Sequence, residues 1–347
     1  MLKQYLRGMK QVFAASYSTL DAAALATYIA IAYGLQNVHC NFLVRGVGDT
    51  YTVNSAAGHF ILRIYRRGVR TLPQIQAEAE LLVALRNQGV SVSYPIASLN
   101  GRHLQEFEAV EGTSYAMLFT YAAGIAVNIL SENQLISLGY EMAKFHNVSA
   151  NIQLNGSRWQ FDNETTLIKP LKAVEYAFKG EEESYGWLQT AVVTVQQKLE
   201  ATDASLVSKG YCHFDFLPKN FHFEGDMVTL FDFDFFGYGW LVNDMMTFWV
   251  HLCMDVHFNR LTQDAADKAL AILVKAYREY RPLSGGELAT IPYLSLGFWV
   301  FYMGFHATHD QFYPLLQPAT LKLRTNFLKG LTEKYWTDET IAKLEML

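Results

Sequence analysis

The residues most able to do chemistry lie in the third quarter of the chain. Asp215 and Asn220 stand with His213 in the order H-x-D-x-x-x-x-N, and the acidic residues Asp232 and Asp234 follow after two short apolar runs. Transfer of a phosphoryl group from ATP requires a carboxylate that orients the attacking hydroxyl. It also requires an amide and a second carboxylate that hold magnesium. The types and spacing of these residues therefore predict a phosphotransferase of the kinase type.

Each of these side chains has an expected role. Asp215 is predicted to be the catalytic base, which accepts the proton of the attacking hydroxyl or orients it. Asn220 and Asp232 are predicted to hold a Mg²⁺ ion, because this hard cation prefers oxygen ligands. A lone aspartate more often caps a helix or closes a turn, so the prediction depends on the joint spacing. Asp234 could touch a second metal ion, contact the substrate, or only brace the loop.

Two further residues are expected to support the loop. His213 lies between two apolar neighbours, where a packed histidine that hydrogen-bonds the backbone is favoured over an acid–base role. Asp244 opens the next predicted helix. It is expected to hydrogen-bond the backbone of the catalytic loop, with ordinary helix capping as the alternative.

The first third of the chain carries mostly strand signals. The pattern predicts a helical region over residues 1–38 and an amphipathic helix from Leu72 to Gln88. Strands are predicted at residues 41–46, 50–54, 59–65, 90–98, 102–110 and 114–122. This order predicts a small antiparallel sheet with one packed helix.

Helix signals dominate after Gly124. Ser131 begins a predicted helix with an S-x-x-Q capping pattern, and short strands are predicted within the motif segment at 220–223 and 227–233. The uncharged run from Leu288 to Phe305 contains a proline and several polar residues, so it is predicted to be a buried helix rather than a membrane span.

The patterns together predict an α+β fold in three parts. Residues 1–38 would form a helical extension, residues 39–123 a nucleotide-binding lobe, and residues 124–347 a lobe with the catalytic loop and the acceptor site.

The composition limits the classes of function. The 347 residues carry a formal net charge of −5, whereas a nucleic-acid-binding protein normally shows a basic field. The cysteines are odd in number and lack metal-site spacing, so they are expected to be reduced thiols in a cytoplasmic protein. Lys3, Arg7 and Lys10 are not followed by an apolar core, so no signal peptide is expected. Neither a nucleic acid nor a membrane is an expected partner.

The motif segment resembles the aminoglycoside phosphotransferase family and the choline and homoserine kinases, which share the protein-kinase-like fold. HFDFLPKN is similar to their H-x-D-x-x-x-x-N loop, and LFDFDFFGYGWLVNDMMTF is similar to their metal-binding aspartate segment and the helix after it. The resemblance covers roughly residues 38–310 and is strongest at 211–244. It implies a bilobal fold, with ATP and Mg²⁺ as cofactors.

The resemblance also implies a nucleotide site in the N-terminal lobe. Gly46 and Gly48 fall where these families have the turn that covers the phosphates. Arg63 takes the place of their phosphate-binding lysine, and Glu78 matches the carboxylate that pairs with it. Arginine is larger than lysine and has a different fork geometry. A solvated arginine on an edge strand is the alternative.

The stretch 117–121 resembles the hinge that reads adenine through main-chain groups in these families. Phe119 and Tyr121 are therefore expected nucleotide contacts. A plain core strand is the alternative for this stretch.

The acceptor is expected to be the hydroxyl of a small molecule, such as an amino alcohol, homoserine, a sugar or an aminoglycoside. Protein kinases carry a long activation segment after the metal aspartate, and D-F-G and A-P-E motifs. Here a short stretch separates Asp234 from Asp244, and both motifs are missing. A bacterial Ser/Thr protein kinase of this fold and a nucleotide-binding pseudokinase are the alternatives.

Aromatic rings beside carboxylates in the C-terminal lobe suggest a pocket for an amine, although such a stripe more often belongs to a core. The candidate lining residues are Trp240, Trp249, His251, Asp255, Trp299, Tyr302, His306 and Asp310.

Overall fold

The computed structural model describes residues 13–347, and these residues form two compact units. The first unit contains the described residues through Val83 together with Ser93–Tyr121, and the second contains Ala84–Val92 and Ala122–Leu347. The predicted helical region 1–38 is thus described only from residue 13. Lys3, Arg7 and Lys10 lie outside the described residues.

The first unit is built on a five-stranded antiparallel sheet, as predicted. Its strands are β1 (His39–Arg45), β2 (Asp49–Ser55), β3 (Gly58–Tyr65), β4 (Leu104–Ala109) and β5 (Gly112–Thr120), in the spatial order β1-β2-β3-β5-β4. Alternate residues of β2 are buried, which is the pattern of a strand with one face on a core. The central strand β3 pairs with β2 on one side and β5 on the other.

The predicted strand at 90–98 is wrong. Residues of this segment make only isolated bridges, Val92 with Leu230 and Pro95 with Phe119. Pro95 has no N–H to donate, and a proline is therefore rarely found inside a regular ladder. The alternating pattern reflects a segment that is partly buried without being a strand.

Two helices accompany this sheet, α1 (Ala22–Tyr33) and α2 (Leu72–Asn87). The Asp21 side chain accepts a hydrogen bond from the backbone N–H of Ala24 at 2.8 Å, which caps the start of α1. Leu25 and Ile29 of α1 pack in the core beneath the sheet. The α2 helix carries Glu78, which is buried.

The second unit is mainly helical, also as predicted. Its helices are α3 (Glu132–Ser149), α4 (Lys169–Val174), α5 (Glu182–Glu200), α6 (Val242–His257), α7 (Gln263–Arg278), α8 (Gly285–Ala289), α9 (Ile291–Ala307), α10 (Pro318–Tyr335) and α11 (Asp338–Glu345). The predicted capping pattern at the start of α3 is present, since Ser131 and Gln134 each bond the other's backbone N–H.

The uncharged run from Leu288 to Phe305 lies in α8 and α9, and most of its residues are buried. This confirms the prediction of a buried helical segment. None of the helices described here combines the length and the apolar character that a membrane crossing needs.

Short strands in the second unit hold the motif. β6 (Trp159–Gln160), β7 (Lys209–Cys212) and β10 (Gly237–Trp240) form a small sheet, and β8 (Phe221–Glu224) and β9 (Met227–Leu230) form a hairpin. The catalytic loop connects β7 to the hairpin, and the acidic segment connects the hairpin to β10. The loop with Asp215 and the acidic segment are therefore both anchored in these two small sheets.

Candidate active site

Asp215 and Asn220 lie side by side in the loop after β7. The Asn220 side-chain amide donates hydrogen bonds to the Asp215 carbonyl oxygen and to Asp215 Oδ2, each at 2.8 Å. Both residues are buried, with 2% and 3% of their surface exposed. Because the side-chain nitrogen of Asn220 makes these two hydrogen bonds, its Oδ1 oxygen remains available to a cation.

The second oxygen of Asp215 is prepared to accept a hydrogen bond. Asp215 Oδ1 is buried and receives no hydrogen bond of good geometry from residues 13–347, although the Tyr302 hydroxyl lies close enough to interact with this carboxylate. Leaving a buried carboxylate oxygen unsatisfied is costly, so the site favours a ligand that brings a donor. The hydroxyl of an acceptor molecule would be such a donor.

Lys219 contacts the same carboxylate and was missed by sequence reasoning. Its Nζ lies 2.8 Å from Asp215 Oδ2. Burial alone would lower the pKa of Lys219, but the charges of Asp215 and Asp232 outweigh it and raise the pKa above its usual value. The lysine is therefore charged and steadies the carboxylate. Its place directly before Asn220 in the motif was the available signal.

Asp244, at the start of α6, holds the backbone of the catalytic loop. Its carboxylate accepts hydrogen bonds from the backbone N–H groups of His213 at 2.9 Å and Phe214 at 2.7 Å. Phe214 has a φ of 62°, a left-handed conformation that an aromatic residue rarely adopts. The two hydrogen bonds to Asp244 help to maintain this bend in the backbone directly before Asp215.

A buried histidine supports Asp244 in turn. His146 Nε2 lies 2.9 Å from Asp244 Oδ2, and the Tyr277 hydroxyl lies 2.8 Å from His146 Nδ1. Burial lowers the pKa of His146 despite the carboxylate beside it, so the ring is neutral. The hydroxyl then donates to Nδ1, and the Nε2–H donates to Asp244.

His213 joins the catalytic loop to the acidic segment. Its Nε2 donates to the carbonyl of Phe231 at 3.0 Å, and its Nδ1 accepts from the backbone N–H of Asp215 at 3.3 Å. The backbone N–H of Phe231 donates to the Asn220 carbonyl at 2.9 Å. These bonds place Asp232, the next residue, beside the catalytic loop.

The acidic segment is tightly bent. Asp232 has φ 61° and ψ 58° and is exposed, whereas Asp234 is buried in the following turn. The buried guanidinium of Arg158 donates to the carbonyls of Phe233, Asp234 and Phe236. Arg158 was also missed, because it stands far from the motif in sequence and nothing in its surroundings signals this contact.

The oxygen atoms of this segment suit a magnesium ion. Asn220 Oδ1, Asp232 and Asp234 supply hard oxygen ligands. Across the part of the chain that the structure describes, no three His, Cys, Asp or Glu side chains form a closed metal cage. Mg²⁺ usually takes one or two protein carboxylates and fills its remaining positions with water and substrate phosphates.

Tyr302 of α9 also lies at this centre. Burial, the charge of Asp215, the contact of the hydroxyl with that carboxylate, and then the charges of Asp232 and Asp234 raise the pKa of the Tyr302 hydroxyl well above its usual value. The hydroxyl therefore stays protonated, and it lies beside Asp215 as a hydrogen-bond donor.

Several other candidate lining residues lie elsewhere in the second unit. Trp240 lines a separate cavity of about 460 Å³, and Trp249 packs against the ring of Tyr335. Asp255 forms ion pairs with His251 at 3.3 Å and Arg260 at 2.7 Å. These contacts give Trp249, His251 and Asp255 structural roles, and Asp310 is exposed at the start of a turn after α9.

In the first unit, the structure pairs Arg63 with Glu78. Arg63 Nη1 lies 3.4 Å from Glu78 Oε1, and the two side chains are 13% and 1% exposed. Arg63 stands on β3, the middle strand of the sheet. The alternative of a solvated arginine on an edge strand is therefore wrong.

The β1–β2 turn requires glycine at one position. The backbone N–H of Gly46 donates to the carbonyl of Gly48 at 2.9 Å. A Cβ atom on Gly48 would lie 2.4 Å from the Ile64 carbonyl oxygen, so a side chain there would push the turn away from β3. On the neighbouring β5, Phe119 is buried, and Tyr121 just after the strand is 45% exposed.

Comparisons with known proteins identify a family for this chain. The model of the phosphotransferase enzyme family matches residues 40–284. A homoserine kinase of Afipia carboxidovorans is 24% identical over 281 residues, which cover 81% of this chain and 78% of that protein.

Two solved structures share the fold. A microcompartment-associated aminopropanol kinase has a TM-score of 0.71 and 20% identity, covering 92% of this chain and 99% of that one. The amicoumacin kinase hAmiN, in complex with AMP-PNP and Ca²⁺, has a TM-score of 0.69 and 20% identity, covering 91% and 94%. The predicted α+β protein-kinase-like fold is confirmed.

Proposed function

Because this chain belongs to the phosphotransferase enzyme family, we propose that it transfers the γ-phosphate of ATP to a hydroxyl group of a small molecule. Asp215 is the catalytic base in this proposal. Asn220 and Asp232 hold Mg²⁺, with Asp234 as a further ligand or as a brace of the loop.

One observation carries the proposal: the two carboxylate oxygens of Asp215 differ in the hydrogen bonds that they receive. Asp215 Oδ2 is fixed by Asn220 and Lys219 at 2.8 Å each, whereas Oδ1 is buried and receives no hydrogen bond of good geometry from residues 13–347, with the Tyr302 hydroxyl beside the carboxylate. A carboxylate held by one oxygen and open at the other can receive a hydroxyl, orient it, and accept its proton.

Asn220 and Asp232 would hold magnesium, and the ion would neutralise the charge that develops on the phosphate oxygens during transfer. Oxygen donors on Asn220 and Asp232 suit this task. The bonds from His213 and Arg158 hold the acidic segment in place, so that little reorganisation is needed when the ion arrives.

Residues of the first unit are proposed to bind the nucleotide. The ion pair with Glu78 fixes the position of the Arg63 guanidinium, which the binding of phosphates by Arg63 would require. Gly46 and Gly48 form the turn proposed to cover the phosphates, and the backbone at Phe119 and Tyr121 is proposed to contact adenine. The relative hAmiN binds the ATP analogue AMP-PNP, which supports ATP as the donor.

A small molecule is favoured over a protein as the acceptor. Only the short β10 strand and its flanking turns lie between Asp234 and the helix that begins at Val242. A segment of this length cannot supply the long activation loop with which protein kinases dock peptides. The relatives named as homoserine and aminopropanol kinases point the same way.

The test is a γ-phosphate transfer assay with ATP and Mg²⁺. Amino alcohols, homoserine, sugars, aminoglycosides and a generic protein serve as acceptors. We expect Asp215→Asn to lower kcat by about 10²- to 10⁴-fold, the usual contribution of a general base, with the Kd for ATP unchanged. Asp232→Asn should instead weaken Mg²⁺-dependent binding of ATP.

The matched control is Asp264→Asn, which removes an exposed carboxylate on α7 and should leave both quantities unchanged. Normal turnover by Asp215→Asn would refute the role of this residue. A wild-type protein that binds ATP but modifies none of the acceptors would favour the pseudokinase alternative.

A further inference from the structure

The second unit contains a cavity of about 460 Å³ beside the catalytic loop. Its lining comes from α5, α9, β10, the start of α6 and the segment 161–168, and the loop contributes Phe214. Asp215, Asp232 and Asp234 are not among the described residues that line it, so the cavity is distinct from the proposed reaction centre. Its volume lies in the range of pockets that bind small molecules, about 300–1,000 Å³.

Aromatic rings form much of the inner wall of the cavity. Phe161 and Phe214, whose ring centroids lie 3.8 Å apart, line it together with Phe298, and all three rings are buried. Trp240, one of the residues that the sequence suggested for an amine pocket, is half-buried and lines it as well. An apolar group bound here would be removed from water, and the faces of the rings would also attract a cation.

Three carboxylates give the mouth of the cavity a negative charge. Asp162, Glu164 and Glu200 line it and are exposed, and its described lining contains no Lys, Arg or His. Lys169 Nζ lies 3.7 Å from Glu164 Oε1 and offsets one of these charges. The two remaining carboxylates favour a positively charged ligand over a neutral or an anionic one.

Asn243 places an uncharged hydrogen-bond acceptor in the same cavity. It is 4% exposed and lines the cavity from the start of α6. Its side-chain nitrogen donates to the carbonyl of Trp240 at 2.9 Å. Because a carbonyl can only accept, this bond fixes the orientation of the amide and leaves Oδ1 as the atom that can accept from a ligand. A ligand with N–H donors is therefore matched to this side chain.

Gly297 keeps one wall of the cavity set back. It lies in the interior of α9 and lines the cavity, although glycine is less favourable than alanine inside a helix. A Cβ atom there would lie 3.4 Å from Thr166 Oγ1 and farther from its other neighbours, which is ordinary van der Waals contact. Alanine would therefore fit at this position, and the glycine leaves that space to the cavity.

We propose that this cavity is a second ligand site, separate from the acceptor site, which binds a small organic cation with an apolar body, such as an aryl-alkyl ammonium. The apolar body packs on the aromatic rings, and the ammonium group lies among the carboxylates at the mouth. Phe214 has a φ of 62° directly before Asp215, and the ligand contacts the ring of this residue. The bound cation is therefore placed to stabilise the catalytic loop without touching the acceptor.

The experiment compares three indoles that differ in the group at the end of a short chain. Tryptamine carries an ammonium, 3-propylindole a methyl group of the same size, and indole-3-propionate a carboxylate. None has an aliphatic hydroxyl, so none can act as a phosphate acceptor. We expect tryptamine to bind the wild-type protein at least about fivefold more tightly than 3-propylindole, and indole-3-propionate to bind most weakly. Ligand-observed NMR at pH 7 measures the three Kd values.

Three variants test the charge and the shape of the site. Glu200→Gln should weaken the binding of tryptamine by about two- to fivefold, the usual worth of an exposed ion pair, and leave that of 3-propylindole unchanged. Glu183→Gln is the matched control, since it removes a carboxylate that is 95% exposed on the same helix, and it should keep the full affinity. Gly297→Ala narrows the cavity and should weaken the binding of both compounds. The melting temperature of each variant reports whether it is folded.

Asp215→Asn separates this site from the acceptor site. It should keep the full affinity for tryptamine, because Asp215 does not line the cavity. Loss of binding in Asp215→Asn, equal affinity of the wild-type protein for tryptamine and 3-propylindole, or unchanged affinity in Glu200→Gln would each overturn the second site. Binding of tryptamine that depends on Glu200 supports the site even if the protein transfers phosphate to no acceptor, so its failure and the failure of the proposed function are distinguishable.

Discussion

Phe214 has a backbone conformation that its side-chain type rarely adopts, at the position just before Asp215, the proposed catalytic base. Its φ of 62° costs about 1–2 kcal/mol for a residue with a Cβ atom. The ring offsets this cost by packing. It stacks on Phe161 with centroids 3.8 Å apart and meets the edge of Phe301 at 5.2 Å. The bend that aims Asp215 is thus stabilised by aromatic contacts behind it.

The opposition between backbone strain and ring packing at Phe214 predicts an unusual order of stability for two variants of this residue. Both Phe214→Ala and Phe214→Gly lose the buried ring, which costs about 3–5 kcal/mol. Only glycine relieves the strain at positive φ, so Phe214→Gly should be about 1 kcal/mol more stable than Phe214→Ala. Urea unfolding measures the difference.

Phe216 provides the control, since it is equally buried and its φ is not positive. There the alanine variant should be at least as stable as the glycine variant. The same order at both positions would show that the backbone at Phe214 is not strained.

Local spacing made part of the site predictable. Asp215, Asn220 and Asp232 could be assigned roles because one loop and one hairpin bring them together, and that information lies within a short stretch. Arg158 could not be found in this way. It reaches the acidic segment from a distant part of the chain, so its contribution depends on tertiary packing that no local pattern records.

At the scale of elements, three helices support the catalytic loop through one chain of hydrogen bonds. Tyr277 of α7 donates to His146 of α3, His146 donates to Asp244 of α6, and Asp244 accepts from the loop backbone. All four groups are buried. Because each hydrogen bond orients the next group, loss of the bond between Tyr277 and His146 should reduce the order of the loop backbone.

We therefore expect Tyr277→Phe to lower stability by about 1–3 kcal/mol, because His146 Nδ1 is left buried without a donor. The catalytic rate should fall more than the affinity for substrate, since the loop loses order rather than contacts. Thermal unfolding measures the loss of stability, and separate determination of kcat and KM measures the effects on rate and affinity.

Tyr140→Phe is the matched control. The Tyr140 hydroxyl donates to Glu279 at an exposed site, so its loss should change stability by less than about 0.5 kcal/mol. Equal effects of the two substitutions would contradict a special role for the buried chain.

Element types were predictable where the signals were local and complete. The capping box at Ser131 and the alternation in β2 both indicated the observed structure. The segment 90–98 failed because its alternating apolar residues resemble a strand, whereas Pro95 prevents a continuous ladder. Which polar face of α9 meets the loop was not predictable, since helical spacing alone does not distinguish a pocket from a core.

At the scale of the whole molecule, two buried histidines link stability to pH. Burial lowers the pKa of His146, and burial with the charge of Arg324 lowers the pKa of His306 to about 4. In the unfolded chain both would titrate near their ordinary value of about 6.5. Below that value the unfolded chain binds protons that the folded protein does not.

The sign of the effect follows from linkage. Because the folded pKa is the lower one, the stabilising contribution of each histidine is complete above about pH 6.5 and is lost as the pH falls toward the folded pKa. Each histidine should lower the free energy of unfolding by up to about 1.4 kcal/mol per pH unit in this range.

Urea unfolding between about pH 7 and pH 5 tests this prediction, in a range chosen to lie above the titration of ordinary carboxyl groups. The wild-type protein should lose stability steadily as the pH falls. His306→Gln keeps an uncharged polar side chain at this position but cannot be protonated, so the dependence on pH should become shallower by about the share of one histidine. An unchanged slope in His306→Gln would mean that His306 binds a proton in the folded protein as readily as in the unfolded chain. The assignment of a neutral His306 ring beside Arg324 would then be wrong as well.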